Sequence, residues 1–134
     1  MTERDPPNIM RSEEIDIALW NNKNGNGFPF LPNSILIECK NWSSQVGAPE
    51  ITIFKDKLKS RDCKYGILIA ANGITGDPHE LTGAHNKISM ALSEGVWILV
   101  IIVQELQSLK NTDDLVLLIK KKISKLVAKC TSID

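Results

Sequence analysis

Ser34-Ile35-Leu36-Ile37-Glu38-Cys39-Lys40 is the stretch on which the fold turns. A strongly apolar run of strand length ends in a carboxylate and an ammonium group. Alternation along a strand puts Leu36, Glu38 and Lys40 on one face, with Ile35 and Ile37 on the other. Upstream, Glu14, Asp16 and Ala18 alternate with Ile15, Ile17 and Leu19, so 13–20 reads as a second strand. The polar NNKNGNG at 21–27 and the irregular FPFLPN after it connect the two, which predicts an antiparallel pair. Residues 1–12, with Pro6-Pro7, read as a lead-in.

Downstream of Lys40, residues 41–48 form a loop. Pro49 and Glu50 suit the start of a helix over 49–60, with Ile51, Phe54 and Leu58 along its apolar stripe. Tyr65 to Ala71 is a short continuous apolar run, expected as a buried strand. A Gly-containing loop leads to a helix over 80–94, with Leu81, Ala84, Ile88 and Leu92 on one side. Val96 to Val103 is a second buried strand, and Gln104 to Leu109 is one helical turn. The C-terminal segment 110–134 carries a last helix over 113–129, for which Thr112 is the expected cap. Asp113 and Asp114 stand at its positive end and its lysines follow, the order the helix dipole favours. The order β-β-α-β-α-β-α predicts an α/β fold with a mixed sheet, parallel crossovers and helices on its faces, as one domain over 1–134.

Of 134 residues, 43% are hydrophobic and 24% charged, which supports a buried core rather than disorder. Sixteen basic and sixteen acidic residues cancel, which excludes a strongly basic nucleic-acid-binding arm. The cancellation is uneven: the chain is acidic up to Phe54 and basic from Lys55 onward. The longest strongly apolar run, Val96 to Val103, is far below the roughly 20 residues that a spanning helix needs, so no membrane association is expected. Nothing resembling a signal peptide opens the chain, and Cys39, Cys63 and Cys130 have no CxxC spacing. A cytoplasmic location is the expectation.

Glu38 and Lys40 share a strand face, and the hairpin brings Asp16 toward Glu38. Two carboxylates and a lysine at a strand end are costly together unless something compensates. A hard divalent cation does so: Mg²⁺ takes carboxylate oxygens and water. Such a centre polarises a phosphoryl oxygen, and the chemistry it suits is phosphodiester hydrolysis.

The ordered pieces EIDIAL (14–19), ILIECKNW (35–42), QVGAPEI (45–51), YGILIAANGITGDP (65–78) and GVWILVIIVQEL (95–106) resemble the PD-(D/E)xK nuclease superfamily. Within it they are most similar to the Mrr-like type IV restriction endonucleases, over roughly residues 13–109. The resemblance implies a restriction-endonuclease-like core and a Mg²⁺-dependent endonuclease that cuts DNA, with Mn²⁺ as a substitute cation. It implies Asp16 and Glu38 as metal carboxylates, the Cys39 backbone carbonyl as a further ligand, and Lys40 as the catalytic lysine. It also implies a homodimer, with targeting supplied by a larger parent protein or a partner subunit.

Two features depart from the family's pattern. The family places a helix before the first strand, often with an extra Glu, whereas about a dozen residues precede Glu13 here. Either the chain is a fragment of a longer protein, or a partner supplies that element, or the core is trimmed. Asp16 also follows Ser12-Glu13-Glu14 rather than a Gly-rich approach, which makes Glu14 a candidate additional carboxylate. Gln45 and Asn41 are candidates for contact with a phosphate, and Lys55 and Lys59, one helical turn apart, for binding DNA. Trp42 reads as a loop anchor. His79 and His85 are six apart, which does not suit zinc, and no nucleophile elbow or P-loop is present. The competing class is a non-catalytic DNA-binding or assembly module on the same fold. A nuclease acting on RNA or branched DNA is the other alternative.

Overall fold

The computed structural model describes residues 14–23, 25, 28–77 and 82–129. Strand β2 (Ser34–Lys40) runs between an antiparallel neighbour, β1 (Glu14–Trp20), and a parallel one, β3 (Tyr65–Ala70). Strand β4 (Trp97–Ile101) pairs in parallel with β3, so the mixed sheet has the order β1-β2-β3-β4. The elements not in the sheet are α1 (Ala48–Ser60), α2 (Gly83–Ser93), α3 (Val103–Gln107) and α4 (Thr112–Lys129). Each parallel step crosses over through a helix, as two strands pointing the same way require. The expected α/β class and mixed sheet flanked by helices are therefore what the chain forms.

The long β1–β2 connection is organised by two asparagines. The Asn21 side-chain amide donates to the carbonyls of Phe28 and Leu31, at 2.7 and 3.0 Å. The Asn33 amide donates back to the Asn21 carbonyl at 2.7 Å. These bonds replace the regular ladder that the turn lacks.

Helix α1 lies on the sheet face that carries Leu36, Glu38 and Lys40. Its Ile51, Phe54 and Leu58 are fully buried, each worth about 1.5–3 kcal/mol of apolar burial. Gly66 allows the close approach, since a Cβ there would stand 2.7 Å from both Phe54 Cζ and Leu58 Cδ1. The start of α1 is secured by the Glu50 carboxylate, which accepts the Gly47 N–H at 3.1 Å. Helix α2 packs beside α1 and against β4, burying Ala84, Ile88 and Ala91. Helix α4 packs against β4 and buries Ile119 and Leu126.

Several boundaries differ from expectation, with α1 starting at Ala48 and β3 ending at Ala70, each one residue from its expected limit. Strand β4 ends at Ile101 because the chain turns into α3 two residues later, where the Glu105 carboxylate accepts the Ile102 N–H at 3.0 Å. The cap of α4 is Asn111 rather than Thr112: its Oδ1 accepts the Asp114 N–H at 2.9 Å, and Thr112 is already helical. The described part of α2 starts at Gly83, and the expected start at Glu80 lies outside the described residues. Among the described residues no helix is long and apolar enough to cross a membrane.

Candidate active site at the end of strand β2

Glu38 is 2% exposed, a carboxylate sealed between the sheet and α1. Both of its oxygens carry a cation. Lys40 Nζ lies 3.0 Å from Oε2, and Lys57 Nζ lies 2.7 Å from Oε1. The first contact follows from strand alternation. The second comes from α1, where Lys57 flanks the stripe that buries Phe54 and Leu58. Lys40 is also buried, and its ammonium sits 5.1 Å from the centre of the Trp42 ring. Trp42 is half-buried against the core, as expected of an anchor, and its carbonyl accepts a bond from the Asn72 side chain. The indole gives Lys40 a cation–π neighbour that holds the side chain in place.

Asp16 occupies the register position directly across from Glu38, and Glu14 the position across from Lys40. Residues directly opposite in an antiparallel pair share a face. The backbone therefore puts all four residues on one side of the hairpin; the side chains of Asp16 and Glu14 lie outside the described residues. Hydrogen bonds also fix the direction of the Cys39 carbonyl. Ala71 N–H donates to the Lys40 carbonyl and Asn21 N–H to the Asn33 carbonyl. Even-numbered residues of β2 thus bond toward β3 and odd-numbered ones toward β1. The Cys39 carbonyl points toward β1 at the register of Ile15, beside Asp16.

The loop after Lys40 is tied to the loop after β3. Val46 N–H donates to the Gly73 carbonyl and Thr75 N–H to the Val46 carbonyl, both at 2.9 Å. Asn41 and Gln45 are exposed on this loop, at the same end of the sheet as Lys40. Lys55 and Lys59 are held elsewhere: both reach Glu94, at 3.2 and 2.7 Å. That hydrogen bond and charge raise the Lys59 pKa. The lysine that α1 delivers to Glu38 is Lys57, which the residue types alone did not single out. Its signal in the sequence is positional, since it stands next to Leu58 and one turn from Phe54, at the edge of the buried stripe.

A family profile described as restriction endonuclease matches residues 9–98. The chain belongs to the Mrr-like restriction endonuclease family. No curated protein and no solved structure matches it. The match takes in β1, β2, α1, β3 and α2, and so Glu38, Lys40, Trp42 and Lys57. The resemblance read from EIDIAL, ILIECKNW and the later pieces is thereby upheld at the level of the family.

The donor chemistry fits a hard cation of the kind such nucleases generally use. Among the described residues no three His, Cys, Asp or Glu side chains converge. What the sheet offers is the buried Glu38 carboxylate, the register position of Asp16 and a backbone carbonyl beside it, all of them oxygen donors. Mg²⁺ is commonly bound by one or two carboxylates while it keeps several waters. His79 lies outside the described residues, and His85 is buried in the first turn of α2. An open cavity of about 330 Å³ lies between Trp20, Ser34, Leu36 and Arg61, at the opposite end of the hairpin from Lys40.

Proposed function

We propose that the chain is a Mg²⁺-dependent endonuclease, with Mn²⁺ as a working substitute, that hydrolyses phosphodiester bonds in duplex DNA. The observation that carries this reading is the buried Glu38 carboxylate with the Lys40 ammonium at 3.0 Å, directly across the hairpin from Asp16. A charged pair is costly to bury, and an apolar pair of similar size would serve stability equally well. Its presence at a strand end, beside exposed loops, points to chemistry.

Asp16 and Glu38 would hold the cation, with the Cys39 carbonyl as a backbone donor. Bound there, a cation would supply positive charge to a phosphoryl oxygen and lower the pKa of water. Lys40 does the positioning. Its ammonium is held between Glu38 and the Trp42 ring, and donates hydrogen bonds to the attacking water or to a non-bridging phosphate oxygen. Glu14 adds a carboxylate position at the outer end of the site. Asn41 and Gln45 stand on the rim as uncharged donors for the DNA backbone, and Lys55 and Lys59 reach DNA only by leaving Glu94. Cutting both strands takes two such sites, so the reading includes a homodimer or a partner subunit that also brings targeting. The setting in which such an enzyme meets DNA is the cytoplasm.

Supercoiled plasmid incubated with the protein and Mg²⁺ or Mn²⁺ tests this directly. Nicking is expected with either cation, none with a chelator, and a loss of about 100-fold or more in Asp16→Ala and Lys40→Ala. Full activity in folded Lys40→Ala would remove the proposed role of that residue. A folded wild-type protein that cleaves with neither cation would favour the non-catalytic module.

A further inference from the structure

Glu38 has two ammonium partners, and they differ in how firmly they are held. Lys40 is fixed by the strand, buried, and placed beside Trp42. Lys57 reaches Glu38 from a helix, and its side chain is 24% exposed against 2% for Glu38. The Lys57 side chain therefore has more freedom to move toward solvent than that of Lys40, which is 6% exposed.

We propose that Lys57 is a displaceable counter-ion of Glu38, and that it sets how tightly a divalent cation enters the site. The inference rests on the reading of Glu38 as a metal carboxylate. In the metal-free protein a buried carboxylate needs a charge partner, and Lys57 provides one at 2.7 Å. An arriving cation carries two positive charges to a carboxylate already flanked by two ammonium groups. A unit charge about 5 Å from a divalent ion, at an effective dielectric near 20, opposes binding by roughly 10⁵-fold if nothing moves. The group better able to relax is the partly exposed one, so Lys57 swings out and Glu38 exchanges an internal cation for an external one. The family site is thereby kept folded and neutralised without metal, at the expense of metal affinity. Lys55 and Lys59, bound to Glu94, do not share this role.

Calorimetric titration of Mn²⁺ into the full metal-free chain tests the proposal without reference to catalysis. Lys57→Gln keeps a hydrogen-bonding side chain but removes the charge, and is expected to bind Mn²⁺ at least tenfold more tightly. Lys57→Arg, which keeps the charge, and Lys59→Gln, which removes one near Glu94, are expected to stay within twofold of wild type. Circular dichroism reports folding, and Lys57→Met serves if Lys57→Gln is unstable. Unchanged or weaker binding in a folded, uncharged Lys57 variant, beside a wild type that does bind, overturns the counter-ion role and leaves the metal site standing. Absence of Mn²⁺ binding in both, or binding by Glu38→Gln equal to wild type, overturns the metal reading and the inference together.

Discussion

Glu38, Lys40 and Lys57 illustrate how much one buried carboxylate demands of its surroundings. Removing Glu38 would leave two ammonium groups facing each other, so its deletion costs stability as well as chemistry. His85 is a second buried polar residue with a different logic. It is 2% exposed in the first turn of α2, and burial holds its pKa below the ordinary 6.5, against an opposing pull from Asp77. The unfolded chain therefore binds the proton more readily than the folded one. The contribution of neutral His85 to stability is complete above about pH 6.5 and is lost as the pH falls through the folded pKa. Thermal melts between pH 7.5 and 5.0 should show a fall in Tm that is smaller in His85→Gln. An equal fall in both proteins would place the acid sensitivity in other groups.

At the scale of elements, the contact between α1 and the sheet governs the site. Helix α1 reaches β3 over Gly66, and Lys57 reaches Glu38 because the helix sits that low. In Gly66→Ala, a methyl group would meet Phe54 and Leu58 at 2.7 Å. Overpacking of this kind costs about 1–3 kcal/mol, so the urea midpoint should drop with an unchanged m-value. A midpoint equal to wild type would mean that α1 yields without strain. The joint between α3 and α4 is a second ion pair, with its lysine buried and its carboxylate partly exposed. Lys122 lies 2.7 Å from Glu105, the residue that also caps α3, and burial lowers the Lys122 pKa while Glu105 raises it. The sequence shows Lys122 only as one of three consecutive lysines; the fold distinguishes it from Lys120, which lies over the Phe30 ring.

For the molecule as a whole, charge balance limits what this domain of a nuclease family does alone. Net charge is zero, and Lys55 and Lys59 on α1 are already engaged with Glu94, while Lys122 is buried against Glu105. Non-specific binding to duplex DNA depends on the number of phosphates neutralised. Fluorescence anisotropy with a short duplex should give a Kd of about 10 µM or weaker near physiological salt, with a salt slope reporting about three phosphates or fewer. A slope of six or more would mean that these ion pairs open on DNA. By itself the sequence determined the order of strands and helices, the antiparallel hairpin, and the placing of Glu38 and Lys40 on one face. Strand alternation and helical spacing are local, and they act on residues a few positions apart. Only the tertiary structure decided that Lys57 rather than Lys55 or Lys59 meets Glu38, and that Glu94 takes the other two across 39 and 35 positions. These outcomes depend on how far a helix rotates and how closely it approaches the sheet, which no repeat along the chain encodes.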